Sequence, residues 1–320
     1  MSLVSAFRAR PPHGVSFAAH SVDAGDDFKR EVVAELVSFP WNEYPAPDTT
    51  SLCRELAEQI GFTVDPAIVS LHRGAEDALR RLIERLRPVR FWAGADSYPG
   101  YRRIAGRANV EFGSYDNGLA LPEDLRGHLV AITTPGSPAP LDDTESTVDL
   151  VLSRGGNVAL DATFELLERK AVGSLEAWLR YPEVALVIST SKSAGLASLR
   201  IGLLIGPTRM NADVSMEWDA FQCAALSVLA RESNLALRLA DVAFTQRDLR
   251  TRLIHAAKSL AGAPVFDGNA FAVTFRRTDA IMSILKPGMF KDYPHRGLVR
   301  VDATAAVCDT IERGVEERLP

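Results

Sequence analysis

The sequence is poor in the residues from which disulfide frameworks and metal centres are built. Its three cysteines, Cys53, Cys223 and Cys308, are odd in number and far apart, a spacing that fits neither a disulfide scaffold nor a zinc site. Each falls in a helix-like segment, so three buried thiols are expected. The six histidines (His13, His20, His72, His128, His255, His295) lack paired ligand spacing, and no metal is expected. No apolar run reaches the length of a membrane span. Arg8 and Arg10 lead into Pro11, Pro12 and His13 rather than into an apolar stretch, which reads against a secretory signal and for a cytoplasmic protein. Basic clusters are missing as well. With 36 Lys and Arg against 41 Asp and Glu, the net charge is -5, so nucleic acid is not an expected partner. Repeats and low-complexity segments are also lacking.

What is present is ordinary globular sequence, 320 residues with 47% apolar and 24% charged side chains, enough for about two domains. Between residues 67 and 206, short β-branched runs alternate with helix-length segments. Strands are expected at 67–72, 89–92, 109–112, 128–133, 157–161, 184–190 and 200–205. Most are apolar on both faces, as strands covered by helices on two sides must be. This alternation predicts an α/β domain with a mostly parallel seven-stranded sheet. Beyond Pro207 the pattern turns to long helix over 217–260, then short strands near 270–275 and 298–301 and a closing helix. A large α/β domain over 40–215 is therefore expected, with 1–39 and 216–320 forming a smaller α+β domain.

Ligands of such sheets bind beyond the carboxyl ends of the strands, so the polar residues there carry the chemistry. His72–Asp77 turns through Gly74 into a helix N-terminus, which offers free N–H groups to a phosphate. Asp161 closes the apolar run Asn157-Val-Ala-Leu; a buried carboxylate there needs a partner, or it caps the next helix. Lys192 is expected just past the following strand, flanked by Ser191 and Ser193. Arg200 is expected to open another apolar strand, where its guanidinium needs an anion. An acid, an amine and a fixed cation together suit a cofactor with a cationic ring nitrogen, an aldehyde and a phosphate, which is pyridoxal phosphate.

The stretch Ser189–Gly202 resembles the cofactor-lysine motif of fold-type-I, pyridoxal-phosphate-dependent aminotransferases of the histidinol-phosphate aminotransferase-like group. The resemblance continues through Tyr44-Pro45-Ala46-Pro47-Asp48, Arg73-Gly74-Ala75-Glu76-Asp77, Tyr98-Pro99-Gly100-Tyr101, Thr134-Pro135-Gly136-Ser137-Pro138 and Leu298-Val299-Arg300-Val301. It implies an aspartate aminotransferase-like fold and transfer of an amino group from a small amino donor to a keto acceptor. Lys192 would form the internal aldimine and then move the substrate's proton. Asp161 would hold the pyridine nitrogen protonated, and Tyr98 would stack on the ring. Backbone N–H groups of Ala75 and Glu76, the hydroxyls of Ser189 and Ser191, and Arg200 would hold the phosphate. Tyr44 would reach the phosphate in the neighbouring subunit of a homodimer. Arg300 would fork onto the substrate carboxylate, with Lys291 toward its distal end.

Two positions depart from the resemblance. Ser137 stands where the group carries an asparagine, and Phe164 where it carries a tyrosine, both normally aimed at the cofactor's phenolic oxygen. Decarboxylation or elimination on the same scaffold, or a non-catalytic descendant, are therefore alternatives, since fold does not fix reaction. Tyr101 is read as packing, Trp41 and Trp92 as core or interface, Asn269 as either facing the substrate or a turn cap, and a surface salt bridge is the other reading of Arg300.

Overall fold

The protein is described from a computed structural model covering residues 25–40, 48–116, 118–136, 144–165, 167, 169–207, 218–231, 234–266, 270–287 and 289–317. Tyr44, Ser137, Trp41 and Asn269 lie outside the described residues. Two sheets organise the chain. The larger has seven strands: β1 (Val69–His72), β2 (Arg90–Gly94), β3 (Glu111–Tyr115), β4 (Leu129–Thr133), β5 (Asn157–Asp161), β6 (Val184–Ser189) and β7 (Gly202–Ile205), in the order β1-β7-β6-β5-β4-β2-β3. Only β7 runs against its neighbours. Three further strands, β8 (Ala272–Arg276), β9 (Phe290–Tyr293) and β10 (Leu298–Asp302), form an antiparallel sheet with β10 in the middle. The seven strands fall where alternation in the sequence puts them. β9 is the strand the sequence reading lacks.

The large sheet divides its side chains by the two-residue period of a strand. Val158, Leu160, Val184, Leu186, Ile188, Leu203 and Ile205 face one apolar cluster. Helices α1 (Asp26–Ser38), α2 (Thr49–Ile60), α5 (Thr144–Ser153), α6 (Arg169–Glu176) and α8 (Ala220–Ala230) cover that side. Ala159, Ala185, Val187 and Leu204 face the other, under α3 (Ala75–Leu86) and α4 (Gly100–Arg107). The small alanines let α3 approach closely, and each fully buried leucine stabilises the fold by roughly 2 kcal/mol.

A short helical turn, α7 (Thr190–Ser193), follows β6. The last large helix, α9 (Asn234–Ala261), joins the two sheets: Leu235 and Leu239 pack under the seven strands, while Leu253, Ala256 and Ala257 pack under the three. Chain 217–260 is thus two helices rather than one. Short α10 (Asp279–Met282) and α11 (Ala305–Glu316) complete the smaller layer. Among the described residues, no helix is long and apolar enough to cross a membrane.

Candidate active site

Register brings the chemistry to one edge of the large sheet. Thr133 pairs with Asp161 across β4 and β5. Gly202 pairs with Ser189 on one side and His72 on the other. Because β7 is antiparallel, its start meets the ends of β1 and β6, so the turns after His72 and Ser189 and before Gly202 converge. A cavity of about 290 Å³ opens there. Ala75, Glu76, Tyr98, Asp161, Ser189, Ser191, Lys192 and Arg200 line it, and Lys291 and Arg300 of the smaller sheet close it.

Lys192 lies just past β6 as expected, but on a helical turn rather than a loop: β6 stops at Ser189, whose hydroxyl accepts the Ser191 N–H at 3.2 Å and caps α7. That helical turn carries Lys192 into the cavity. The expectation for Arg200 needs correction, because Arg200 does not open β7. It occupies the left-handed region at φ 54°, two residues before the strand. Such backbone costs a non-glycine residue roughly 1–2 kcal/mol, and here it turns the guanidinium back over Gly74. At Gly74 (φ +81°) an added Cβ would meet Arg200 Nη2 at 2.9 Å, and one at Gly202 would meet the Gly74 carbonyl carbon at 2.7 Å.

This corner fits a phosphate. The first N–H groups of α3 lack carbonyl partners within the helix, Arg200 lies over the turn, and the glycines leave room a side chain would fill. Ser191 Oγ is buried with no hydrogen-bond partner, an atom an anionic ligand would satisfy. Glu76 adds more than its backbone. Its Oε1 accepts hydrogen bonds from the Tyr98 hydroxyl and, at 2.7 Å, from Arg103. Burial opposes ionisation of Glu76, but these bonds and the charges of Arg103 and Arg200 prevail and hold its carboxyl below the usual value. Burial, together with Glu76, pushes the Tyr98 phenol up to about 12, so it stays protonated and its ring is anchored.

Asp161 is almost wholly buried. Its Oδ2 accepts from the Tyr101 hydroxyl at 2.6 Å and its Oδ1 from the Thr163 N–H at 3.0 Å. Burial still pushes its carboxyl upward against these bonds; a cation placed beside it would bring it back down. Tyr101, expected as mere packing, is fully buried and also bonds Thr133 Oγ1 at 3.0 Å. Its position three residues beyond Tyr98 on a helix start was the available signal. Thr163 Oγ1 sits near enough to Asp161 to favour its charge, yet makes no hydrogen bond of ordinary geometry. Phe164 lines the cavity and packs on Phe271 at 6.5 Å between ring centroids, so no phenol is offered where a tyrosine would put one.

Burial drives the Lys192 amine down to about 8, helped by Arg300 and Arg200 and opposed by Asp302. An amine brought down this far keeps a usable free-base fraction near neutrality and can act as nucleophile and base. On the facing wall, Arg300 and Lys291 are paired across β10 and β9. Arg300 is buried, which removes the surface salt-bridge reading. Its Nη2 lies 3.5 Å from Asp302 Oδ1. The sequence reading missed Asp302, although a residue two beyond Arg300 shares its strand face.

No family model matches the chain. It is 27% identical over 248 residues to an aromatic amino acid aminotransferase of Rhodococcus opacus, covering 71% of this chain and 68% of that protein. Over 172 residues it is 30% identical to a histidinol-phosphate aminotransferase of Methylibium petroleiphilum, covering 51% of this chain and 44% of that one. The crystal structure of histidinol-phosphate aminotransferase from Sinorhizobium meliloti in complex with pyridoxal-5'-phosphate matches with a TM-score of 0.70 at 18% identity, over 98% of this chain and 97% of that one. The fold is accordingly that of the fold-type-I, pyridoxal-phosphate-dependent enzymes, aspartate aminotransferase-like. Within that class the chain is a relative of the aminotransferases, aromatic amino acid and histidinol-phosphate aminotransferases among them.

Proposed function

We propose that this chain is a pyridoxal-phosphate-dependent aminotransferase acting on an amino acid, with Lys192 as its catalytic residue. One observation carries the reading: an amine tuned to about 8 shares a cavity with a buried carboxylate, an unpartnered buried hydroxyl and a helix N-terminus. Ala75, Glu76, Ser189, Ser191 and Arg200 would hold the phosphate and Asp161 the ring nitrogen. Bound there, the cofactor supplies an aldehyde that condenses with amines and a ring that accepts electrons.

The chain's own groups do the rest. Lys192, as the free amine, would hold the cofactor's aldehyde and would act as the base that removes the proton from the substrate's Cα and delivers it to the cofactor side, not back to Cα. Asp161, held by Tyr101 and Thr163, stays charged against a cation. Tyr98, fixed through Glu76 and Arg103, packs as a rigid ring. Arg300 receives the substrate carboxylate. The sequence relatives named as aminotransferases support transamination over decarboxylation or elimination. A homodimer with Tyr44 crossing the interface belongs to the same reading, and the exposed Phe221, Leu237 and Phe244 support an interface. So does a division into two units, with the seam carried into α9, because α8 and the start of α9 pack with the large sheet. A cytoplasmic setting and a biosynthetic role also belong to this reading.

The test is the absorbance spectrum of the protein supplied with pyridoxal phosphate, before and after borohydride reduction. Peptide mapping is expected to find the reduced adduct on Lys192, and an amino acid donor to shift the spectrum with release of its keto acid. A colourless protein with Lys192 unmodified would overturn the reading.

A further inference from the structure

The inner face of the smaller sheet is both charged and buried. Residues two apart on a strand share a face, so Arg300 and Asp302 of β10 look one way while Val299 and Val301 enter the apolar cluster with α9 and α11. Pairing sets Lys291 of β9 directly opposite Arg300, and both line the cavity. The Arg300 and Asp302 side chains, 3.5 Å apart, are each only 8% exposed. Charges this deep interact far more strongly than in water, because little solvent screens them. The wall therefore presents a ligand with two cations, Arg300 and Lys291, and holds one anion, Asp302, paired with Arg300 but not itself lining the cavity, so that its net charge is a single positive one. Beside it the cavity turns apolar, with Pro99, Phe164 and Ala197, and Phe271 backs Phe164.

The geometry points to Asp302 as a specificity-determining residue: it makes this wall a site for one carboxylate, selecting amino acids with a single anionic group and an apolar side chain over dicarboxylic or phosphorylated ones. The inference rests on the aminotransferase reading. A single substrate carboxylate on Arg300 uses the wall's surplus charge. A second anionic group meets a wall whose surplus is already spent on the first, because Asp302 behind Arg300 cancels one of the wall's two cations. Rejection of this kind, by a fixed like charge, is how a site discriminates without new contacts to the preferred ligand.

Calorimetric binding of two unreactive acids to the cofactor-loaded protein tests this. 3-Phenylpropionate carries one carboxylate and succinate two, and neither has an amine to react. The wild-type chain is expected to bind 3-phenylpropionate at least about tenfold tighter than succinate. Asp302→Asn is expected to tighten both, by about threefold for one charge and about tenfold for two, since the repulsion scales with ligand charge. Adding Lys291→Met removes the second cation and should erase the succinate gain. Asp302→Ser must move both ligands in the same directions, and retention of the cofactor checks that each variant folds. Equal gains for the two acids, or a wild type that prefers succinate, overturn the assignment. Repetition on cofactor-free protein separates the two ideas: a chain that takes up no pyridoxal phosphate but shows the same pattern loses the aminotransferase reading and keeps Asp302 as the charge selector.

Discussion

The two walls of the cavity are built by different means. The large-sheet wall is made of strand ends, helix N-termini and glycines, so its shape comes from backbone and tolerates little change. The small-sheet wall is one face of an antiparallel ladder, and its Lys291 and Arg300, with Asp302 paired to Arg300 behind them, are side chains on a frame that does not depend on them. The first suits a ligand that never varies, and the second a ligand that differs from one relative to another. Substitutions on the two sides should therefore fail differently.

The largest effect is expected from Lys192→Ala, which removes nucleophile and base together. Turnover should fall by at least about a thousandfold, and borohydride should fix no cofactor on the chain, as mass mapping of the reduced protein will show. Arg300→Gln should lower kcat/KM by about a hundredfold through loss of the carboxylate fork while cofactor retention is unchanged. Titration of the variant with pyridoxal phosphate checks that division, and loss of cofactor there would merge the two walls. Gly202→Ala should do the reverse. Its new Cβ would lie 2.7 Å from the Gly74 carbonyl carbon, and the displaced turn should weaken cofactor affinity by roughly ten- to a hundredfold, from a strain of about 1–3 kcal/mol, with little change in KM once saturated.

Tyr101→Phe is a smaller cut. It strips the 2.6 Å hydrogen bond from Asp161 and should cost about 1–3 kcal/mol of stability. The Asp161 carboxyl is already pushed upward by burial. A raised carboxyl contributes stability below its unfolded value and loses it as pH rises through the folded one. The penalty should therefore grow as pH rises above the ordinary carboxylate range, and denaturant melts over a series of pH values measure it; a penalty independent of pH would assign Tyr101 to packing. Last comes the pH profile of cofactor capture. With the Lys192 amine down at about 8, the rate should climb through that pH and level above it, whereas a rise continuing toward 10 would leave Lys192 an ordinary surface-like amine.

Local pattern reached far on the large-sheet wall. Apolar runs such as Val184–Ser189 announce a strand buried on both sides, and polar residues just beyond such runs are few, so Asp161, Lys192 and Arg200 stood out. What local pattern did not reach was the exact turn: that Lys192 rides a helical turn capped by Ser189, and that Arg200 takes a left-handed conformation, follow from closing one corner with three chain segments. On the other wall the reading stopped at Arg300 and Lys291. β9 is four residues with no strong alternation, and it becomes a strand because β10 offers it an edge.

The sequence by itself determined the seven strands, their burial and the identity of the groups at their ends, because strand periodicity and burial cost act over a few neighbouring residues. Only the tertiary structure decided that Tyr101 serves Asp161, sixty positions away, and that the charges of Asp302 and Arg300 reach Lys192. Those pairings are set by how α4 and the smaller sheet dock onto the strand ends, and docking is a sum of many weak long-range contacts that no local run of residues records.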